Sequence, residues 1–294
     1  MLKGRLGLET TGIPHADRHG LIYLERGKLY VEDGCLTFVT AGTNTLSEGI
    51  YQIPYQGVSN FLLAPGCSVS HDAMRLLARH GTGLLVVGAG GVRFYAASMP
   101  FGADRSALAR AQTSLWADQD SRLAVARRMY AMRIGEELPQ QDLDALRGVE
   151  GHRMKQVYKN MAQHFGVQWH GRRYDRTNPA GDDLPNSALN HASTAVRAAA
   201  MVAVAATSTI PQLGFIHEAS AEAFVLDIAD LHRTSLTIPI AFQAAKTHQR
   251  QGWENIERIT RRLAGKKLRE RGVIAEMIDN IKELLNDDDR GGQS

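Results

Sequence analysis

The sequence predicts an α+β protein in which a small, β-rich N-terminal domain is followed by a larger, all-helical C-terminal domain. Two observations lead to this fold class. The first hundred residues contain short apolar runs that end at Gly, Pro or Asp-Gly, as strands do. After the segment SMPFGADRS, apolar residues recur at helical spacing. We therefore expect a β-rich domain over 1–100, a helical domain over 101–286 and an acidic tail over 287–294.

The β-rich region is predicted from its turn residues. The stretch LIYLERGKLYVEDGCLTFVT should turn at Arg26-Gly27 and at Asp33-Gly34, which both have the chemistry of hairpin turns. SVSHDAMRLLARHG predicts a helix that is capped by Ser70 and closed by its final glycine. GLLVVGAGGVRFYA then predicts another hairpin at its glycines. Because no helix follows GAGG, we exclude a dinucleotide-binding fingerprint.

The helical region is predicted from apolar periodicity and from loop signals. Its main break is WHGRRYDRTNPAGDDLP, a polar segment that is rich in Gly and Pro. The expected helices span residues 104–135, 140–165, 184–207, 221–232, 237–250, 254–263 and 266–286.

The composition excludes several classes of protein. With 44% hydrophobic residues and a net charge of +3, the chain lacks the signature of disorder. Its longest apolar run, 198–206, is too short for a transmembrane helix, and early charged residues argue against a secretory signal. Because Cys35 and Cys67 are too few for a disulfide framework, we expect a cytoplasmic protein. The lack of a transmembrane segment predicts no membrane partner. Residues 101–275 carry 24 basic and 18 acidic side chains, which indicates an anionic partner.

One glutamate interrupts an apolar stripe on the helix predicted over 140–165. The stripe has a spacing of three or four residues provided that position 150, which is Glu150, belongs to it. A carboxylate in such a stripe needs an ionic partner or a cation. Pairing with Arg147, Arg153 or Lys155 is the structural alternative to a metal-binding or catalytic role. The apolar members are Leu143, Leu146, Met154, Val157 and Met161.

Two aspartates lie together on the helix predicted over 221–232. Apolar residues cover most of this helix, and Asp227 and Asp230 share the remaining sector. Two like charges that face a buried space repel each other and are poorly solvated, which favours a nearby cation. The cation is either a divalent metal or an arginine such as Arg233.

A histidine completes a mixed set of oxygen and nitrogen ligands. His217 ends the apolar turn LGFIH, ten residues before Asp227, where a hydrogen-bonded core histidine is the alternative reading. Together with Glu150 and the two aspartates, Asp227 and Asp230, it forms a set that suits Mg²⁺ or Mn²⁺ better than structural zinc, which prefers cysteines.

Phosphate binding is predicted at basic segments, since no serine-hydrolase elbow, Walker loop, HExxH or CxxC pair is present. GRRYD supplies Arg172 and Arg173 as phosphate donors and Tyr174 as a ring for stacking on a base, unless it is only a solvated turn. RITRRLAGKKLRERG is strongly basic, but such a run is more often a solvated helix face.

Five segments give the chain a resemblance to a known family: RGVEGHRMKQVY, WHGRRYD, PNSALNHA, LGFIHEAS and FVLDIAD. Their order and intervals resemble those of the CRISPR-associated integrase/endonuclease, the first of the Cas proteins (the Cas-one family), and are most similar to subtype I-E. GTGLLVVGAGGVRFYA looks like the same family. The resemblance runs from about residue 20 to about residue 285.

The resemblance implies an architecture and partners. It implies an N-terminal β domain for dimerisation and DNA contact, a helical catalytic domain and a homodimer. Two such dimers would clamp a dimer of the second CRISPR-associated adaptation protein (Cas-two) in a heterohexamer. The assembly would bind double-stranded DNA, both prespacer and CRISPR repeat, and join prespacer 3′-hydroxyls to the repeat by transesterification, with associated endonuclease activity.

The resemblance also implies roles for single residues. Glu150, His217 and Asp230 match the metal ligands, so that Mg²⁺ or Mn²⁺ is the expected cofactor, and Asp227 matches a nearby acidic residue of the catalytic site. The segments that the family uses near DNA contain Arg75, Arg93, Arg172, Arg173 and Tyr174.

The chain departs from the family at three positions. Arg26 stands where some I-E members have an aromatic wedge, Ser220 falls where the HTGK pattern lacks its lysine, and Leu226 replaces a tyrosine. These changes bear on how duplex ends are opened and leave the metal set intact. Two other functions fit the same residues: a stand-alone metal-dependent nuclease on branched or single-stranded nucleic acid, and a non-catalytic DNA-binding scaffold.

Overall fold

The computed structural model describes residues 20–98, 106–136, 142–173 and 183–286. A β-sheet region is followed by a helical region, which confirms the predicted fold class. The chain divides into two compact units. Of the described residues, 20–89, 95–98 and 106–107 belong to the β-rich unit, and 90–94, 108–136, 142–173 and 183–286 belong to the helical unit.

The β-rich unit contains two four-stranded sheets and one helix. In one sheet the strand order is β1-β5-β7-β8, and in the other it is β4-β3-β2-β6. Helix α1 contacts β2 and β7, and with both sheets it buries a core that includes Phe38, Phe61 and Leu77. The elements are β1 (Gly20–Leu24), β2 (Gly27–Glu32), β3 (Cys35–Thr40), β4 (Gly49–Ile53), β5 (Val58–Leu63), β6 (Ser68–Val69), α1 (His71–Arg79), β7 (Gly83–Val87) and β8 (Phe94–Ser98).

Of the two hairpin turns predicted within LIYLERGKLYVEDGCLTFVT, one is confirmed and one is wrong. Asp33 and Gly34 both have positive φ angles, 49° and 77°, and join the antiparallel strands β2 and β3. At Arg26-Gly27 the chain instead leaves one sheet for the other, because β1 pairs in parallel with β5. A Cβ on Gly27 would lie 2.4 Å from the Phe38 ring, so this glycine permits close packing rather than a hairpin.

The helix predicted between the strands is confirmed with a small shift at its end. The Ser70 hydroxyl accepts a hydrogen bond from the Ala73 N–H, as an N-cap does. The helix ends at Arg79, before the predicted Gly81, which has a φ of 65°. Strands β7 and β8 are neighbours in their sheet, as the prediction of a connection at the glycines requires.

The helical unit is built around α5, which contacts α6, α7, α8 and α9. The many alanines of α5 present small side chains, so that neighbouring helices pack closely against it. None of the helices within the described ranges is long and apolar enough to cross a membrane. The helices are α2 (Ala107–Ala117), α3 (Gln119–Ile134), α4 (Leu143–Phe165), α5 (Leu184–Thr207), α6 (Ala223–Leu231), α7 (Ile238–Gln251), α8 (Ile256–Glu270) and α9 (Val273–Leu285).

Two predicted helix boundaries are wrong. The helix expected over 104–135 is divided at Asp118, whose side chain accepts a hydrogen bond from the Ser121 N–H and so begins α3. The break expected between 263 and 266 is absent, because α8 runs through Gly265 and the chain turns at Gly272, which has a φ of 60°. A Cβ on Gly265 would lie 3.4 Å from Val92, so this glycine allows close packing.

Helices α6 and α7 are joined by a π-helical turn, Arg233–Thr237. The Thr237 N–H donates to the carbonyl of His232, five residues earlier, at 3.2 Å. This wider hydrogen-bonded ring is the mark of a π-helix, and such turns are frequent at functional sites. Arg233 lies at its first position.

Candidate active site

Glu150 lies on α4 and forms an ion pair with an arginine of α3. The predicted stripe is confirmed at Leu146 and Met154, which are buried. Glu150 Oε1 lies 2.8 Å from Nη2 of Arg133, whose side chain is only 5% exposed. The predicted partners Arg147 and Arg153 pair instead with Asp144 and Glu136.

Among the described residues, Asp227 is bonded to main-chain N–H groups and to one histidine ring. Its carboxylate accepts hydrogen bonds from the backbone N–H groups of Phe215, Ile216 and His217, at 2.6, 3.1 and 3.0 Å. These bonds solvate a carboxylate that is fully buried, so Asp227 needs no metal to be stable there. The expectation that both aspartates face one poorly solvated space is wrong for Asp227, which turns toward the preceding loop.

A glycine permits this loop to close on α6. A Cβ on Gly214 would lie 2.3 Å from the His217 carbonyl oxygen and 2.7 Å from Ala223 Cβ. Separations this short are excluded by sterics, so only glycine fits without a shift of the backbone. The loop is therefore held by its main chain, from Gly214 to His217.

His217 is oriented by Asp227. Its Nδ1 lies 2.6 Å from Asp227 Oδ1, which leaves Nε2 as the ring nitrogen for another partner. The hydrogen bond to Asp227 raises the pKa of His217, against the lowering by burial; the charges of Asp227 and Asp230 also raise this pKa. A histidine whose second nitrogen is held by a carboxylate is the arrangement commonly found at metal ligands.

Asp230 lies between two arginines and is 27% exposed. Its Oδ2 is 3.6 Å from Arg133 Nη1, and its Oδ1 is 3.4 Å from Arg233 Nη1. Arg233 also donates to the Tyr158 hydroxyl at 3.2 Å. Burial lowers the pKa of Arg233, but Asp230 and Tyr158 raise it by more, so the guanidinium stays charged. The predicted alternative, an aspartate paired with Arg233, is thus confirmed for Asp230.

Glu150, His217 and Asp230 line one cavity of about 470 Å³, with Asp227 behind His217. Tyr130 lines it too. Burial, with a smaller contribution from Glu150, raises the pKa of Tyr130 to about 12, so its hydroxyl stays protonated near neutral pH. Arg133, Arg147 and Arg233 complete the charged lining.

The donor set suits a divalent metal, but its present spacing does not form a finished metal site. Two carboxylates and one imidazole nitrogen are ligands that Mg²⁺ and Mn²⁺ accept. Within the ranges that the structure describes, no three acidic, histidine or cysteine side chains are close enough to share an ion. Arg133 supplies the positive charge between Glu150 and Asp230 instead.

A second cavity, of about 330 Å³, shares His217, Asp230 and Arg233 with the first. Arg172 lines it and donates to the side-chain oxygens of Asn186 and Asn190 at 3.0 and 2.6 Å. These bonds hold the guanidinium in the same cavity as His217 and Asp230. Among the residues that line this cavity, three arginines face one aspartate.

The other predicted DNA contacts lie outside both cavities. Arg173 is exposed, and its backbone N–H donates to Asn186. Arg75 pairs with Asp72 on the surface of α1, and Arg93 pairs with Glu257 at 2.9 Å. Tyr174 lies outside the described residues.

The basic run over 258–272 is largely paired, as the solvated-face alternative predicts. Glu254 pairs with Arg258 and Arg262, and Glu270 pairs with Lys266 and Lys267.

Sequence reasoning missed Arg133 and Tyr130. On α3 they follow Ala126 and Met129 along one helix face, and those two residues are fully buried. An arginine on an apolar stripe is the same signal that identified Glu150 on α4, and it was available in the sequence.

Comparison with known proteins gives a consistent result. The family model for "CRISPR associated protein Cas1" matches residues 21–138 and 131–277. The CRISPR-associated endonuclease Cas1 of Geobacter sulfurreducens is 36% identical over 93% of this chain and 86% of its own length. That of Escherichia coli K12 is 35% identical over 93% and 87%.

Solved structures agree with these matches. TtCas1 in its crystal structure with DNA superposes with a TM-score of 0.82 and 32% identity, over 92% of this chain and 98% of its own. A casposase bound to an integration product has a TM-score of 0.65 over 91% and 96%, but only 13% identity, so that it shares the fold.

Proposed function

This chain belongs to the Cas1 family of CRISPR-associated endonucleases, and on that premise we propose that it is a metal-dependent DNA integrase of CRISPR adaptation. It joins the 3′-hydroxyls of a prespacer to the CRISPR repeat by transesterification, with associated endonuclease activity. We assign it to subtype I-E and place the reaction in the cytoplasm.

One observation carries the proposal: Glu150, His217 and Asp230 line a single cavity, although 67 residues separate the first two in sequence. Asp227 holds His217 through Nδ1, which leaves Nε2 for a ligand. A merely structural histidine needs no such orientation toward a cavity that two carboxylates also line.

Mg²⁺ or Mn²⁺, held by Glu150, His217 and Asp230, would polarise the scissile phosphate and lower the pKa of the attacking 3′-hydroxyl. The chain's own residues bind and orient the reactants. Arg172 and Arg233 hold backbone phosphates in the second cavity. Tyr130 remains a neutral hydrogen-bond donor beside Glu150.

The reaction needs no covalent enzyme intermediate. The prespacer 3′-hydroxyl loses its proton to solvent and its oxygen forms a bond to a repeat phosphorus. The bond from that phosphorus to the 3′-oxygen of the repeat strand breaks, and the departing oxygen takes a proton from solvent. One phosphodiester replaces another, so atoms and charge balance. Positioning and charge neutralisation account for most of the acceleration.

The partners follow from the same proposal. Double-stranded DNA, as prespacer and as repeat, binds to the arginines of the second cavity, to the exposed Arg75 and Arg173 and to the half-buried Arg93, with Tyr174 near a base. A homodimer and the second adaptation protein, Cas2, set the distance between two active sites, which one chain cannot do. Binding to DNA should weaken steeply as salt rises.

A strand-transfer assay tests the proposal. The purified chain, with Cas2, is incubated with a labelled prespacer duplex and a supercoiled plasmid that carries a CRISPR repeat. We expect His217→Ala and Asp230→Ala to abolish joining and to leave DNA binding largely intact. Asp144→Asn, which changes an exposed carboxylate on the helix of Glu150, is the control and should join normally. Joining that persists in either alanine variant contradicts the proposal.

The same assay separates a stand-alone nuclease, which would release hydrolysed fragments and no joined product. A non-catalytic scaffold is favoured by a different observation, since arginines already neutralise Glu150 and Asp230. A scaffold would bind DNA equally with and without Mn²⁺, and Mn²⁺ would not stabilise it against heat.

A further inference from the structure

Arg133 lies where a cation would join two of the proposed metal ligands. Its Nη2 is 2.8 Å from Glu150 Oε1, and its Nη1 is 3.6 Å from Asp230 Oδ2. One guanidinium therefore bridges carboxylates that belong to two different helices, α4 and α6. It does so with a side chain that is nearly buried, in the cavity that His217 also lines.

The bridge relies on charge more than on hydrogen bonding. Arg133 Nε and Nη2 are buried and have no aligned hydrogen-bond partner among the described residues, although Nη2 is close to Glu150. An arginine that is fixed for structure normally makes paired, parallel hydrogen bonds with one carboxylate. Arg172 is also held by hydrogen bonds, since its two terminal nitrogens donate to the side-chain oxygens of Asn186 and Asn190. The Arg133 side chain could therefore leave the two carboxylates for a partner that offers aligned hydrogen bonds.

We propose that Arg133 occupies the cation position of the active site before nucleic acid binds, and moves to a backbone phosphate of the DNA when the divalent metal enters. The inference rests on the proposed function, since it takes Glu150 and Asp230 as metal ligands. It makes Arg133 a positioning residue that links two binding events. A phosphate offers the guanidinium the doubly hydrogen-bonded partner that it lacks.

The linkage has a measurable consequence. Because the metal must displace Arg133, it binds weakly to the free protein. Because a phosphate draws Arg133 away, DNA and metal strengthen each other's binding, by the same factor in both directions. Removing the guanidinium should therefore tighten metal binding to the free protein and reduce the effect of DNA on it. A purely structural role predicts the opposite, because loss of the bridge would disorder the ligands.

Mn²⁺ binding, followed by electron paramagnetic resonance of the free ion, tests the inference without a reaction. The full chain is titrated alone and with a prespacer duplex that ends in 3′-deoxynucleotides and cannot react. The variants are Arg133→Gln and Arg133→Lys; Arg127→Gln removes one charge from an exposed position of the same helix as a control. Glu150→Gln shows whether the measured ion is the one at the site.

We expect Arg133→Gln to bind Mn²⁺ more tightly than the wild type without DNA, by about 5- to 150-fold, the usual range of coupling between two sites. Arg133→Lys keeps the charge and guards against misfolding, and its gain should be smaller. Arg127→Gln should match the wild type. DNA should raise the Mn²⁺ affinity of the wild type more than that of Arg133→Gln.

Unchanged or weaker Mn²⁺ binding in both Arg133 variants overturns the inference. If the wild type still shows Mn²⁺-dependent strand transfer, only the role of Arg133 is wrong. If the wild type binds no Mn²⁺ with or without DNA and joins no prespacer, the proposed function fails, and the inference fails with it.

Discussion

The two sides of the candidate active site are held together by different kinds of interaction. On one side, the loop from Gly214 to His217 is fixed to Asp227 by three main-chain hydrogen bonds. On the other, the side chain of Arg133 joins Glu150 to Asp230. Three backbone donors fix the position of the Asp227 carboxylate, whereas an arginine side chain can exchange partners. The fixed side orients the imidazole, and the exchangeable side is where charge can be replaced.

The largest expected effect contrasts the two aspartates. Asp227→Asn should lower the free energy of unfolding by about 3 kcal/mol, because an amide N–H₂ would face backbone donors in a buried place. Asp230→Asn should cost about 1 kcal/mol or less, because Asp230 is partly exposed and paired by arginines. Urea denaturation in EDTA measures both. Equal losses would contradict the distinction between a fixed and an exchangeable side.

Metal addition should stabilise the protein chiefly through the exchangeable side, which supplies two of the three proposed ligands, Glu150 and Asp230. Mn²⁺ at about 100 times its dissociation constant should stabilise the wild type by about 2.7 kcal/mol, and EDTA should remove the gain. Glu150→Gln should lose most of it. Calorimetric melting is the measurement. If Mn²⁺ does not change the melting temperature at any concentration, Glu150 and Asp230 do not bind the metal.

A smaller effect tests the fixed side. Gly214→Ala should destabilise the protein by about 1–3 kcal/mol, because its Cβ would clash with the His217 carbonyl and push the loop off α6. Gly148→Ala is the control, since its Cβ would meet open space on α4 and should raise stability by about 0.5–1 kcal/mol. Thermal melting of the two variants is the measurement. If Gly214→Ala leaves the stability unchanged, the loop is not rigid.

The smallest expected effect is on the pH dependence of stability, and it concerns His191, which lies near several charged side chains. Burial lowers the pKa of His191; Glu257 opposes this, and Arg93 and Arg261 add to it. Because the folded pKa lies below the ordinary value of 6.5, the unfolded chain binds more protons at acidic pH. Its contribution to stability is present above pH 6.5 and is lost as the pH falls through the lowered pKa.

Nuclear magnetic resonance titration of the His191 ring gives the folded pKa directly. His191→Gln should flatten the acid side of the stability profile. A titration midpoint above 6.5 would reverse the sign of this prediction.

Much of the candidate site was predictable, because burial of charge leaves a mark in the sequence. Glu150 was found as a carboxylate on an apolar stripe, and His217 as a polar residue at the end of an apolar turn. Helix periodicity predicted α4 and α5 closely, since each buries one continuous face. These features depend on neighbours three or four residues away, which the sequence displays directly.

What could not be predicted depends on distant neighbours. The pairing of Arg133 with Glu150 joins two helices, and no local pattern tells which of several arginines will reach the carboxylate. Gly27 and Gly265 were interpreted as turns because glycine signals either a turn or close packing, and only the tertiary structure distinguishes them. The hydrogen bonds from backbone N–H groups to Asp227 could not be predicted either, because they depend on how the loop folds against α6.

The π-helical turn over Arg233–Thr237 determines which face of α7 packs into the core. Removing one residue there would restore ordinary α-helical bonding, yet it would rotate α7 by about 100° about its axis. Ile240 and Ala244 would then leave the core and polar residues such as Lys246 would enter it, although every proposed ligand precedes the deletion. The number of residues in this turn, more than their identity, is what insertions and deletions in related chains must preserve.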